Sequence, residues 1–330
     1  MIFFFFLIFC NLFFLFYFKK ISKYINIFDL PDDKRKIHTN KTSLLGGLIF
    51  LINIFSYLIY EFIVNKSPIF ETLGFQKHIS AFIFICSLIV LFVVGFVDDK
   101  VKLSAKLRLV LLTIVISINL LVNTELNISL IKLNFMSPFS IGDFSFFWTF
   151  LCFLLFINAF NFFDGLNLQS AGLIYSISIF FLYKNIFFDF FIVIFIANTL
   201  FLYLNYHSKT FLGNSGSFFL PFLFGALFIS SYNNSPSLMA DEIVVLMIIP
   251  GWDLLRLFFL RIWHKKNPMF PDNNHIHHYL IKKFSQTKSA MIVQLLIWIP
   301  FFLSQYLGYI HFILVAQTIC YFLIIARYRN

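Results

Sequence analysis

Two adjacent carboxylates, Asp98 and Asp99, stand at the end of an apolar run and are followed by several basic residues. Adjacent carboxylates repel each other unless a cation or basic groups lie between them. Mg²⁺ suits such a pair because it takes oxygen ligands, keeps several waters and shares substrate phosphates. A solvated pair that merely ends a helix is the competing interpretation. The pair is therefore a candidate site for magnesium and phosphate.

Polar residues at helical spacing form a second candidate. Asn158, Asn161 and Asp164 recur at every third position in a Phe-rich segment, which places them on one helix face. Polar side chains inside an apolar span indicate function by default, although amides also join helices. Farther along, the glycine-rich turn at 213–216 leads into another apolar run. Backbone amides at such a turn bind phosphate, unless the turn only starts a helix.

Two clusters of basic residues complete the candidate phosphate ligands. The first cluster, Arg35, Lys36 and His38, is also compatible with an ordinary basic loop beside a membrane. The second has three histidines within four residues, a pattern that binds zinc in some proteins. Their spacing differs from the i, i+4 pair of zinc-binding helices, so we favour binding of diphosphate oxygens. The members are Arg35, Lys36 and His38 in the first cluster, and Arg256, Arg261, His275, His277 and His278 in the second.

The composition indicates a membrane protein. The chain is 60% hydrophobic and 12% charged, whereas a soluble domain carries about 25% charged residues. The net charge of +10 does not indicate nucleic acid binding, because no basic stripe with interleaved aromatic residues is present. The four cysteines all lie in apolar runs without metal-ligand spacing. We expect an all-α polytopic membrane protein that forms a single domain over 1–330.

About 20 apolar residues cross the hydrocarbon core as a helix, and ten to eleven runs qualify. The segment 169–183 is among the weakest. We also expect a small exterior β-hairpin near 126–145, because residues 127–135 alternate before turn signals at Ser137-Pro138 and Gly142-Asp143. The predicted helices lie near 1–18, 44–64, 79–97, 107–123, 146–163, 169–183, 186–204, 216–232, 241–263, 290–309 and 310–327.

The distribution of Lys and Arg predicts the orientation, because cytoplasmic loops carry an excess of both. Of the 25 Lys and Arg residues, only Lys66, Lys77, Lys132 and Lys184 fall in connections on one side. We therefore expect the N-terminus outside and the C-terminus in the cytoplasm. All five polar clusters then lie on the cytoplasmic face, which predicts an active site there.

Taken in order, the clusters resemble the motifs of the polyprenyl-phosphate N-acetylhexosamine-1-phosphate transferases, glycosyltransferase family 4, over most of the chain. The resemblance implies transfer of a sugar-1-phosphate from a UDP-N-acetylhexosamine to undecaprenyl phosphate in the bacterial inner membrane, with release of UMP. It also implies Mg²⁺, with Mn²⁺ as a substitute, and offers precedent for a homodimer. The matching segments are 29–38 with 46–47, 95–99, 158–165, 211–217 and 275–278.

The resemblance implies a role for each candidate residue. Asp98, Asp99 and Asp164 become the catalytic residues and, with Asn214, the metal ligands. Two positions depart from the family: Asn214 stands where relatives have Asp, and Asn167 stands where many have Asp. An amide oxygen still binds Mg²⁺ but brings no charge. The substrate-binding residues implied are Arg35, Lys36, His38, Asn158, Asn161, Arg256, Arg261, His275, His277 and His278.

Two alternatives to an active transferase remain at this stage. A polytopic transporter predicts polar groups near the bilayer midplane, on broken helices in matching halves. Here the polar clusters gather at one boundary and no halves match, which argues against it. The other alternative is a catalytically impaired homologue, which the neutral Asn214 motivates.

Overall fold

The computed structural model describes residues 2–31, 41–267 and 273–329, and most of them are helical. The helices are α1 (Ile2–Ile25), α2 (Gly46–Ile63), α3 (Ile69–Thr72), α4 (His78–Val101), α5 (Ala105–Val122), α6 (Ser145–Phe163), α7 (Gln169–Lys184), α8 (Phe188–Tyr206), α9 (Gly213–Asn234), α10 (Ala240–Trp263), α11 (Ile276–Ile281), α12 (Gln286–Leu307) and α13 (Ile310–Tyr328). The strands are β1 (Phe28–Asp29), β2 (Thr42–Ser43), β3 (Leu130–Leu133) and β4 (Met136–Ser140).

Ten of the described helices are long and apolar enough to cross a membrane. Helix α7 has 16 residues and is about 24 Å long, shorter than a hydrocarbon core of about 30 Å. A helix occupies each of the eleven predicted positions, so the polytopic all-α fold is confirmed. The largest difference between predicted and observed helix ends is at α1, which was predicted to end at residue 18 and continues to Ile25.

Helix α9 lies at the centre because its sequence is apolar on every side. It is buried along nearly its whole length and packs against α2, α4 and α6. The ring of Phe222 contacts Phe84 of α4 and Phe153 of α6, with centroids 5.4 Å apart in both pairs. Helix α9 is therefore the common partner that sets the relative positions of the surrounding helix ends.

The hairpin of β3 and β4 covers the C-terminal end of α9. The Lys132 ammonium donates hydrogen bonds to the carbonyls of Tyr232 and Ser235, both at 2.7 Å. The Asp241 carboxylate, in the first turn of α10, accepts a hydrogen bond from the backbone N–H of Asn134 at 2.9 Å. Since α9 has 22 residues, this end lies about 33 Å from Gly213.

The hairpin expected near 126–145 is present, but the predicted position of its turn is wrong. Leu133 pairs with Met136, which places the turn at residues 134–135. The Ser137-Pro138 pair lies within β4 instead. Every residue of β4 is exposed, and a proline is tolerated in such an edge strand because no neighbouring strand needs its missing N–H.

Helix α7 connects the two ends of the molecule despite its short length. It starts at Gln169, just after the turn at Asp164 that ends α6. Its last residue, Lys184, pairs with Glu242 at an Nζ–Oε1 distance of 2.5 Å. Glu242 adjoins Asp241, which binds the hairpin, so α7 ends on the hairpin side.

Candidate active site

Asp99, in the last turn of α4, lies against the first turn of α9. Its carboxylate accepts hydrogen bonds from the backbone N–H groups of Asn214 at 2.8 Å and Ser215 at 3.1 Å. A helix N-terminus stabilises a carboxylate because its first N–H groups lack helical partners and its dipole is positive there. Gly213 has a φ of +75°, and a Cβ there would lie 2.7 Å from Asp99 Oδ2. The turn expected to bind phosphate therefore holds Asp99.

The neighbouring carboxylate, Asp98, faces a different helix. It accepts hydrogen bonds from the backbone N–H of Leu103 at 2.7 Å and from the Arg108 guanidinium at 3.3 Å. Consecutive residues of a helix project about 100° apart, so the two carboxylates diverge. The structure brings Asp99 to Asn214, whereas Asp98 is paired with Arg108 at the start of α5.

Asn161 joins the polar series of Asn158, Asn161 and Asp164, at the end of α6, to α9. Its Nδ2 donates hydrogen bonds to Asn214 Oδ1 at 3.2 Å and to Ser217 Oγ at 2.6 Å. Ser217, three residues after Asn214 on the same helix face, lies in the matching segment 211–217 but had no role predicted for it. Asn158 donates to the carbonyl of Leu154 in its own helix at 2.7 Å and does not join this group.

Asp164 follows the end of α6 and is half-buried. Burial, with a smaller contribution from the negative charge of Asp99, raises the pKa of the Asp164 carboxyl to about 7. Within the described residues, no three acidic, His or Cys side chains form a ready metal cage. Mg²⁺ usually binds through one or two carboxylates together with waters and substrate phosphates. Asp99 and Asp164, with the amide oxygens of Asn161 and Asn214, therefore fit that ion.

The histidine loop, defined as residues 275–278, runs into α11 and lies directly against the turn after Asp164. A Cβ on Gly165 would lie 2.6 Å from His277 Nε2, so glycine is required for this contact. His277 is 1% exposed, and neither ring nitrogen has a hydrogen-bond partner in the described part of the chain. Burial, followed by the nearby His275 and His278, lowers the pKa of His277 well below its usual value. Because unpaired buried polar atoms are costly, this ring indicates a place for a polar substrate group.

Two further predicted residues lie at the same end of the molecule. The guanidinium of Arg261 lies 5.6 Å from the ring centroid of Phe162, and Arg261 is buried. The rings of His277 and His278 are 4.2 Å apart. The structure therefore places Arg261 and His278 beside the turn that carries Asp164.

Helix α2 reaches the site through Gly46 and Gly47, which belong to the first of the matching segments. Their N–H groups donate to the carbonyls of residues 211 and 212 at 3.0 and 2.9 Å. A Cβ on Gly47 would lie 2.4 Å from the backbone nitrogen of Gly216, so α2 packs directly on the first turn of α9. The basic residues of that segment, Arg35, Lys36 and His38, lie outside the described residues.

Two residues without a role assigned from sequence support the histidine loop, Asp253 by direct contact and Tyr321 through Asp253 and Arg256. Asp253 Oδ2 accepts a hydrogen bond from His275 Nδ1 at 2.7 Å. The Tyr321 hydroxyl donates to Asp253 Oδ1 at 2.9 Å and accepts from Arg256 Nε at 2.7 Å. A carboxylate in the middle of an apolar helix is a signal that points to Asp253. Tyr321 is one of 14 tyrosines and has no such signal.

Comparison with known proteins agrees with this arrangement. The description of glycosyl transferase family 4 matches residues 81–232, which include Asp99, Asn161, Asp164 and Asn214. A probable undecaprenyl-phosphate N-acetylglucosaminyl 1-phosphate transferase of Bacillus subtilis (strain 168) is 30% identical over 290 residues, covering 84% of this chain and 76% of the relative. The chain belongs to glycosyl transferase family 4. The resemblance drawn from its motifs is thereby confirmed.

Two more distant relatives have similar names. An undecaprenyl-phosphate alpha-N-acetylglucosaminyl 1-phosphate transferase of Salmonella typhi is 26% identical over 295 residues, covering 85% of this chain and 76% of the relative. The protein of the same name from Thermotoga maritima is 26% identical over 277 residues, covering 82% and 79%. The similarity therefore extends well beyond the segment that the family description matches.

Proposed function

We propose that this protein transfers an N-acetylhexosamine 1-phosphate from its UDP derivative to undecaprenyl phosphate and releases UMP. Membership of the family and the names of the relatives support this reaction. The observation that carries it is the contact of Asp99 with Asn214, and of Asn214 with Asn161, at the ends of apolar helices. This arrangement suits a lipid substrate, since the site lies where a phosphate headgroup meets the membrane surface.

The chemistry needs charge neutralisation and alignment more than covalent assistance. A phosphate oxygen of the lipid forms a bond to the β-phosphorus of the UDP-sugar, and the bond from that phosphorus to the bridging oxygen of UMP breaks. We assign Asp99 and Asp164 to hold a Mg²⁺ ion, which when bound neutralises phosphate charge. We assign His277, His278 and Arg261 to the diphosphate oxygens, and His275 to another polar group of the UDP-sugar.

We further propose eleven crossings, with the N-terminus outside and the active site on the cytoplasmic face of a bacterial inner membrane. The path of α7 from the site to the hairpin side supports an eleventh crossing. Tyr328, at the end of α13, packs on Phe284 beside α11, so the chain ends on the side of the site. The excess of Lys and Arg on that side supports a cytoplasmic location.

The deciding experiment is UMP release by the purified protein in lipid nanodiscs. We expect release that requires both undecaprenyl phosphate and Mg²⁺, with one of a panel of UDP-N-acetylhexosamines. Omission of the lipid and addition of EDTA are the controls for direct hydrolysis and for the metal. The proposed function would be refuted if folded protein released no UMP with any donor, whether residue 214 is the native Asn or is replaced by Asp.

The neutral residue Asn214 gives a separate prediction. Asn214→Asp places a carboxylate beside Asp99 and keeps an acceptor for the amide of Asn161. Because an added ligand charge raises metal affinity, we expect equal or higher activity and roughly tenfold less Mg²⁺ at half-maximal rate. The rate is measured as a function of Mg²⁺ concentration.

The matched control for this substitution is Asn167→Asp. Asn167 is the other position at which the resemblance implies Asp, but its Nδ2 donates to Ser208 Oγ at 2.8 Å rather than to Asn214 or Asn161. We expect this variant to leave the Mg²⁺ requirement unchanged. An inactive but folded Asn214→Asp protein would show instead that the site has been rebuilt around the amide.

A further inference from the structure

Asp253 is a buried carboxylate in α10 that contacts two other segments and Arg256 of its own helix. It is 3% exposed, and both oxygens accept hydrogen bonds. Oδ1 accepts from the Arg256 guanidinium at 2.9 Å, from the backbone N–H of Ile276 at 3.1 Å and from the Tyr321 hydroxyl at 2.9 Å. Oδ2 accepts from His275 Nδ1 at 2.7 Å. The carboxylate therefore ties α10 to α13 and to the start of the histidine loop.

Arg256 and Tyr321 hold Asp253 in place. Arg256 Nε donates to the Tyr321 hydroxyl at 2.7 Å, and Arg256 NH2 donates to the carbonyl of Asn274 at 2.5 Å. Tyr321 is fully buried in α13. Both of these Arg256 nitrogens are thus engaged inside the protein, which differs from the phosphate-binding role expected from the sequence. Asp253, Arg256 and Tyr321 are called the anchor triad below.

The contact with Asp253 determines which ring nitrogen of His275 is available. An ionised carboxylate only accepts hydrogen bonds, so His275 Nδ1 carries a proton and Nε2 is left for another partner. The His275 ring packs against two neighbouring rings. Its centroid lies 5.6 Å from that of Phe162, in an edge-on arrangement, and 5.3 Å from that of His277, with the two rings nearly parallel.

We propose that Asp253, held by Arg256 and Tyr321, is a positioning residue that keeps a proton on His275 Nδ1 and presents the unprotonated Nε2, as an acceptor, to a hydroxyl or N–H group of the UDP-sugar. The role rests on the proposed function for the identity of that substrate. Carboxylates that orient a functional imidazole in this way fix both its tautomer and its direction. The C-terminal helix α13 then supports the site, although it touches no substrate.

The main test is Asp253→Asn. Three donors face Oδ1, so the amide oxygen stays on that side and the amide N–H₂ turns toward His275 Nδ1. Nδ1 must then accept, which moves the ring proton to Nε2. We measure this by ¹⁵N NMR of the protein labelled with ¹⁵N-histidine, with His275→Gln assigning the signals. A protonated Nδ1 in the wild type and an unprotonated Nδ1 in Asp253→Asn are expected; the same Nδ1 state in both would overturn the proposal.

Kinetics supply a second readout. We expect Asp253→Asn to lower kcat/KM for the UDP-sugar by about 10- to 100-fold while KM for undecaprenyl phosphate stays the same. In a His275→Asn background, the same substitution should change kcat/KM less than twofold, because its effect passes through His275. A full additional loss in that background would mean that Asp253 acts independently of His275, and the proposal would fail.

A milder variant guards against misfolding. Tyr321→Phe removes one hydroxyl from the anchor triad, and we expect kcat/KM for the UDP-sugar to fall about fivefold, the effect of one hydrogen bond. The control is Tyr232→Phe, a buried tyrosine whose hydroxyl also has two partners but lies at the hairpin end. Equal kinetics for the two variants would contradict the proposal. If the wild type released no UMP, the proposed function would fail. The NMR measurement would still test whether Asp253 keeps the proton on His275 Nδ1, because it does not depend on turnover.

Discussion

Asp99→Asn is expected to lower UMP release by about 1,000-fold, the upper range for loss of one preorganised electrostatic group. Asp99 is the carboxylate that the first turn of α9 holds through the N–H groups of Asn214 and Ser215. It also lies close enough to Asp164 to affect its pKa. The asparagine has nearly the same shape but no charge, so Asp164 is the only one of the two assigned carboxylates left to hold the cation.

The control for this substitution is Asp241→Asn. Asp241 is buried and accepts hydrogen bonds from Asn134, from its backbone N–H at 2.9 Å and its Nδ2 at 2.8 Å. It therefore matches Asp99 in accepting two N–H hydrogen bonds from another segment but lies at the opposite end of α9. We compare initial rates in nanodiscs at saturating Mg²⁺, and melting temperatures report on folding. Near-normal turnover by a folded Asp99→Asn protein would remove Asp99 from the proposed cation site.

Gly95→Ala is expected to lower activity by about 100-fold through displacement of α9 rather than loss of a functional group. A Cβ on Gly95 would lie 2.3 Å from the carbonyl oxygen of Asn214 and 2.5 Å from Cα of Ser215. Both are backbone atoms, so α4 and α9 must move apart where Asp99 binds. Overpacking of this kind also costs about 1–3 kcal/mol of folding free energy.

The matched control is Gly251→Ala in α10, where a Cβ meets no atom within 4 Å. Alanine is the better helix former by up to about 1 kcal/mol, so we expect unchanged activity and an equal or higher melting temperature. UMP release and thermal unfolding are measured for both variants. Activity of Gly95→Ala within a factor of three of the wild type would show that the contact of α4 with α9 tolerates displacement.

Local pattern alone predicted most of the helices and the family. Long apolar runs specify spans because a helix is the structure that satisfies its own backbone in lipid, and the structure has a helix at each predicted position. The order of the five motifs sufficed for the resemblance that the relatives support. The turn of the hairpin was misplaced because Pro138 was taken as a turn signal, whereas an exposed edge strand accepts it.

The arrangement within the site was decided by the tertiary structure. Asp98 and Asp99 are equivalent in the sequence, but their directions on α4 differ, so one meets Arg108 and the other meets α9. The partners of Asp99 are 115 and 116 residues away, and no local pattern reports such a distance. Tyr321 likewise enters the site only through the packing of α13 against α10. Sequence periodicity identifies which residues share a helix face, whereas helix packing determines what that face meets.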